Sequence, residues 1–234
     1  MRILTLNVNG IRSAASKGFL DWMKRQRADL VCLQEIKAPP ARVPASLFAL
    51  DGYWCLWHGE TAYSGVGLHV RRERAAVRPA FAHPPFDLET RIATVDLGDV
   101  TVASVYVPNG GKDYPAKLRF LEALAAWAAE ARAAGRSIVV AGDLNVARTD
   151  LDVHPKERKA GAIGQRPDER ALLESFLSHG LVDVGRSLDP ENAGLFTYWA
   201  PWRNLRQRNI GWRIDYVVAS AALAASARRC AVLA

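Results

Sequence analysis

The sequence contains no apolar run that reaches the ~20 residues of a membrane span, which argues against a bilayer-crossing helix. Its first residues, Met1-Arg2-Ile3-Leu4-Thr5-Leu6-Asn7, turn polar at once and lack the long apolar core of a secretory leader. Cysteine is scarce: Cys32, Cys55 and Cys230 are scattered and odd in number. That excludes a disulfide framework or a thiolate metal cluster and suits reduced thiols in a cytoplasmic protein. No internal repeat, low-complexity tract or composition break divides the chain, so one domain over residues 1–234 is expected.

Against these absences stand 31 Lys and Arg against 24 Asp and Glu, a formal net charge of +7. A basic surface suits a polyanionic partner, because neutralising phosphates releases counterions, although basicity alone does not identify nucleic acid. Residues 2–8 alternate as a strand, a helix is expected over about 17–27, and 29–35 form a second strand. Further strands are expected at 53–57, 65–70, 91–97 and 100–107. A long helix follows over about 115–134, with Pro115 in its first turn and Gly135 at its end. An apolar strand at 137–141, a helix over 168–179 and a strand at 213–219 complete the pattern. Mixed strands with few helices imply an α+β fold, two sheets packed together with helices outside.

Polar residues at the ends of apolar strands are the most informative feature. Such a strand delivers its last side chain to a sheet edge on a rigid mount. Asn7 and Asn9, Glu35, Tyr106 and Asn109, and Asp143 and Asn145 are all placed this way. Any one of them alone is more often turn chemistry or a cap. Glu35 resists that reading best, since Gln-Glu is a poor turn.

Together the segments resemble the exonuclease III and apurinic endonuclease family. The matching blocks are Asn7-Val8-Asn9-Gly10, Leu33-Gln34-Glu35, Ser64-Gly65-Val66, Tyr106-Val107-Pro108-Asn109, Gly142-Asp143-Leu144-Asn145-Val146-Ala147 and Gly211-Trp212-Arg213-Ile214-Asp215-Tyr216, in the family's order. The resemblance implies a four-layer α/β-sandwich, two packed mixed β-sheets flanked by helices. It also implies a DNA phosphodiesterase of base-excision repair, an abasic-site endonuclease and 3′-to-5′ exodeoxyribonuclease. Glu35 and Asn7 would hold Mg²⁺, with Mn²⁺ as the substitute, since hard cations take carboxylate and amide oxygens. Tyr106 and Asn145 would hydrogen-bond the phosphate or attacking water, Asn109 would assist, and Asp143 would orient or deprotonate that water. Asp215 would fix a C-terminal histidine.

That histidine belongs to a Ser-Asp-His triplet which this sequence does not contain, and no histidine follows Asp215. The family pattern therefore leads one to expect about 20 further residues, with the last strand among them. Without that strand, residues 2–8 would lie at a sheet edge.

The segment 197–209 mixes aromatics with arginines and suits a loop pressed on duplex DNA, with Arg203, Arg206 and Arg208 on phosphates. Asn209 and Trp212 fall at positions the family uses there. A Trp-rich core corner with solvated arginines is the competing reading. Lys112, Arg148, Lys156, Arg158 and Lys159 would extend the basic surface. The expected partner is double-stranded DNA with abasic sites or 3′ ends, met by a monomer and not by a membrane-bound protein. Two rivals remain: a DNA-binding chain with impaired catalysis, and a lipid or phosphoinositide phosphodiesterase of the same superfamily.

Overall fold

The structure is a computed structural model that describes residues 1–233. The chain divides into two compact units, Met1–Tyr106 with Val139–Asp143, and Val107–Ile138 with Leu144 onward. The elements run β1 (Ile3–Asn7), α1 (Ile11–Ser16), α2 (Phe19–Gln26), β2 (Leu30–Gln34), α3 (Ala45–Phe48), β3 (Tyr53–His58), β4 (Val66–Arg71), β5 (Phe81–Ala82), β6 (Ile92–Leu97) and β7 (Val100–Tyr106). They continue as α4 (Tyr114–Ala133), β8 (Ser137–Asp143), α5 (Pro167–Ser178), β9 (Leu181–Asp183), α6 (Val184–Leu188), β10 (Asp215–Ser220) and α7 (Ala221–Ala225). The architecture is the expected one, two mixed β-sheets flanked by helices.

In the first unit, one sheet has the order β1-β2-β4-β3. β1 runs parallel to β2, with Asn7 opposite Gln34, and stands at the sheet edge. The second sheet contributes β5, β6, β7 and β8, hydrogen-bonded in that order. Leu33, Val31 and Leu4 join Ile11, Phe19 and Met23 from α1 and α2 in one apolar cluster. Gln34 and Ser104 are fully buried between the sheets, where Gln34 Nε2 donates to Ser104 Oγ at 3.2 Å. Burial also pushes the Cys32 thiol up to about 12, so it is inert at neutral pH.

The helix expected over about 17–27 is present as α2, and a short helix that was not expected precedes it. Gly18 adopts φ +83°, which separates the six-residue α1 from α2. Only Ile11 of α1 is buried, so that helix leaves no apolar period in the sequence. Gly142 serves close packing instead. A Cβ there would lie 1.9 Å from the Val105 carbonyl oxygen, so only glycine lets β8 approach β7 beside Tyr106 and Asp143.

His69 on β4 is fully buried, edge-on to Trp57 at 4.5 Å. Burial, opposed only in part by a backbone hydrogen bond at Leu68, pushes its pKa down to about 4. The unfolded chain therefore takes up a proton that the fold refuses. Stability from this residue is full above pH ~6.5 and is lost as pH falls toward 4, by roughly 3 kcal/mol. In urea denaturation, His69→Leu should gain about that much relative to the parent chain between pH 7 and pH 4. A difference that does not change with pH would contradict this.

In the second unit, α4 packs on α5. α4 begins where the Asp113 side chain accepts from the Ala116 N–H at 2.9 Å, with Pro115 in its first turn. β9 and β10 pair antiparallel. α4 buries Leu121, Leu124 and Ala128, leaves Leu118 half-buried, and also buries Lys117 completely. Lys117 Nζ lies 2.5 Å from the equally buried Glu169 and donates to the Asn145 carbonyl at 2.7 Å.

Candidate active site

Three strand ends of the first unit deliver polar side chains to one place. Asn7 ends β1, Tyr106 ends β7 and Asp143 ends β8. The Asn7 amide nitrogen donates to Glu35 Oε1 at 2.7 Å and to Asp143 Oδ2 at 3.0 Å, while its oxygen accepts from the Asn9 N–H. One NH₂ group thus bridges two carboxylates that would otherwise repel each other.

Glu35 stands at the end of the second strand, where the sequence places it, but its backbone is not extended. It follows β2 with φ +51°, and Asn9 and Lys37 share this left-handed backbone. The turn is held from several sides: Gly10 N–H donates to the Glu35 carbonyl, Ile36 N–H to Gly65, and Lys37 N–H to Ser64. A glutamate kept in this costly conformation by surrounding backbone bonds fits a functional position better than a casual turn.

Burial tends to raise the Glu35 carboxyl, but Asn7, Lys37 and Tyr106 outweigh it and hold the group below the usual carboxylate range. Tyr106 moves the other way. Burial first, then the negative charges of Glu35 and Asp143, push its hydroxyl well up, with Arg91 only partly opposing. At neutral pH the site therefore holds an ionised Glu35 beside a protonated phenol that can donate a hydrogen bond. Asp143 is 4% exposed.

Two participants lay outside the sequence reading. Lys37 Nζ sits 2.6 Å from Glu35 Oε2 and 2.6 Å from Asn9 Oδ1, a cation seated on two hard oxygens. The arrangement shows that these donors accept positive charge, and the oxygen-rich set fits a hard divalent ion. Arg91, buried to 2%, lies 4.6 Å over the Tyr106 ring. Its only sequence signal was a charge at the mouth of a strand.

In the second unit, Asn145 has φ +52° and its side chain donates to the Val107 carbonyl at 2.9 Å. The Lys117 and Glu169 pair braces it from behind, and Glu169 Oε1 accepts from the N–H groups of Gly164 and Arg166. Asn109 is exposed and its Oδ1 accepts from Gly111 N–H, an ordinary turn contact. Asp215 opens β10, and its backbone N–H donates to Thr197 Oγ1 at 3.0 Å.

Arg203, Arg206, Arg208 and Asn209 are exposed on one loop with Trp202, and Arg206 lies over Trp199 at 5.5 Å. Asn209 bridges Gly194 and Trp199 through its amide, which fixes that loop. Trp212 is half-buried, its ring against Gly164 and its backbone paired with Tyr198. Arg158 is exposed and extends the basic surface as expected, whereas Arg148 does not. Arg148 forms a two-pronged ion pair with Glu174, and Arg158 donates to the carbonyls of Asp150 and Val153. Lys112, Lys156 and Lys159 are exposed.

Residues 4–230 match the pattern of the Endonuclease/Exonuclease/phosphatase family. The chain belongs to that family. It is 33% identical over 234 residues to the DNA repair nuclease APEX1 of Danio rerio, covering 95% of this chain and 74% of that protein. It is 33% identical over 230 residues to an exodeoxyribonuclease of Bacillus subtilis (strain 168), covering 95% and 89%. An AP endonuclease from Archaeoglobus fulgidus superposes with a TM-score of 0.85 at 27% identity, covering 96% of this chain and 88% of that one. Endonuclease/Exonuclease/phosphatase membership makes the cluster of Asn7, Glu35 and Asp143 the candidate centre. No helix among the described residues is long and apolar enough to cross a membrane.

Proposed function

We propose that this chain, acting as a monomer, hydrolyses the DNA backbone beside abasic sites and trims 3′ ends, with Mg²⁺ held by Glu35 and Asn7 and Mn²⁺ able to replace it. The chain is a hydrolase of the exonuclease III type and a DNA-repair nuclease, and divalent-metal dependence is general in its family. The observation that carries the finer reading is the Asn7 amide shared between the Glu35 and Asp143 carboxylates.

A phosphodiester is anionic and repels the oxygen that must attack it. When bound, the divalent ion supplies positive charge against the phosphate and the departing 3′ oxygen. Asp143 orients the attacking water and takes its proton. Tyr106, kept protonated, donates a hydrogen bond to a phosphate oxygen. Asn145 and Asn109 contact the phosphate or water, and Asp215 orients a histidine where one is present; these three roles rest on the motif match. Trp212, Asn209, Arg203, Arg206 and Arg208 meet the duplex, the arginines through phosphates.

A duplex carrying one abasic site, an intact duplex and a lipid phosphodiester, each assayed with Mg²⁺, test the proposal. Multiple-turnover cutting at the abasic site, abolished by chelation, is the expected result. Salt-dependent duplex binding with cleavage at background would instead identify a DNA-binding chain without catalysis.

A further inference from the structure

A second group of metal-ligating side chains lies in the first unit and shares no residue with the cluster around Asn7. His58 ends β3, and its Nε2 is 2.6 Å from Asp87 Oδ2. His83 Nδ1 lies 3.9 Å from the same oxygen. The two imidazoles stack nearly parallel, with centroids 4.8 Å apart and planes 15° apart. One ligand atom from each of the three residues falls within 4.8 Å of the others.

From this geometry we infer that His58, His83 and Asp87 form a binding site for a transition-metal dication such as Zn²⁺ or Co²⁺. Two imidazole nitrogens and a carboxylate oxygen suit such ions and not Mg²⁺. Bonds of ~2.0–2.2 Å at tetrahedral angles place ligand atoms about 3.3 Å apart; here the two histidine–carboxylate separations are 2.6 Å and 3.9 Å, and all three atoms lie within 4.8 Å of one another. A simple ion pair would need only His58 and Asp87.

The carboxylate is also pre-aimed. Asp87 Oδ1 accepts from the N–H groups of Arg91 at 2.7 Å and Ile92 at 3.0 Å, which turns Oδ2 toward the histidines. Such outer hydrogen bonds are how proteins orient a metal-binding carboxylate. His58 sits on a strand, paired opposite Val66 of β4, and is largely shielded. His83 is 58% exposed at the side chain, which leaves a fourth position open to water.

The site has a structural consequence. Asp87 holds the backbone of Arg91, and Arg91 lies over Tyr106. A bound ion would fasten residues 83–91 to β3 and so steady the arginine behind that tyrosine.

Co²⁺ titrated into the full chain, with millimolar Mg²⁺ present to occupy hard oxygen sites, reads the site through its visible absorption. One saturable equivalent is expected, and His83→Ala should weaken it by more than roughly tenfold. Because His83 is exposed, that variant should keep its circular dichroism. Asp87→Asn, which keeps an Oδ1 acceptor for the two N–H groups, should weaken binding similarly. Absence of saturable absorption, unchanged affinity in His83→Ala, or a thiolate-to-cobalt charge-transfer band from a cysteine would each overturn the assignment.

Discussion

Asp143→Asn should slow cleavage of an abasic duplex by roughly 10²–10⁴-fold, the range for loss of a positioned proton acceptor. The substitution is nearly isosteric, so β8 and its close approach through Gly142 are kept. What is lost is the charge. The carboxylate is 4% exposed, and its Oδ2 takes one hydrogen of the Asn7 amide, so it is positioned before substrate arrives. An asparagine can still orient a water but cannot accept its proton at neutral pH. The loss should therefore appear in kcat, with KM little changed. Single-turnover kinetics against the parent chain measure this. A loss below tenfold would move proton acceptance to another group.

Arg213→Met should cost about 3–5 kcal/mol of stability, the usual result of removing one partner from a buried ionic network. The Arg213 guanidinium is 2% exposed, donating to Asp152 at 2.7 Å and to both oxygens of Asp183 at 3.0 and 2.6 Å. Burial alone would lower its pKa, but Tyr216, Asp183 and Asp152 together push it up, so it is charged at every pH of interest. Methionine fills similar volume but leaves two buried carboxylates short of a cation. Arg186 still reaches Asp152, while Asp183 loses both guanidinium hydrogen bonds and keeps the Arg186 backbone N–H that it caps. Urea denaturation at pH 7 reads the cost, and a change under about 1 kcal/mol would mean the two aspartates find solvent or other partners.

That network also shows where motif reading stopped short. Gly-Trp-Arg-Ile-Asp-Tyr was informative as a pattern, yet its arginine and tyrosine serve the fold. The Tyr216 hydroxyl donates to Val146 and accepts from Arg148 N–H, which ties β10 to the segment after Asn145. Apolar alternation located most strands because each buries at least one face, so β3, β4, β6 and β7 lie within a residue or two of expectation. The three-residue β9 and the short α1, α6 and α7 were invisible, being too brief to show a period.

The site divided in the same way. Asn7, Tyr106 and Asp143 were legible because strand ends are rigid and their polarity breaks an apolar run. The left-handed turn at Glu35 was not, since glutamate carries no turn signal and the conformation is imposed by Gly10, Gly65 and Ser64 from elsewhere in the chain. Lys37, Arg91 and the buried Lys117 look like ordinary surface charges until long-range contacts bury or pair them. Arg148 shows the converse: its charge is taken up by Glu174, which lies 26 residues away.

The proposal rests on Glu35 and Asp143 working as one unit through the amide of Asn7. A double-mutant cycle on cleavage of the abasic duplex with Glu35→Gln, Asp143→Asn and both together measures that coupling most directly. The double variant should be no slower than the slower single one, because either loss already disables the shared centre. Losses that multiply in full would show two independent groups and contradict the account.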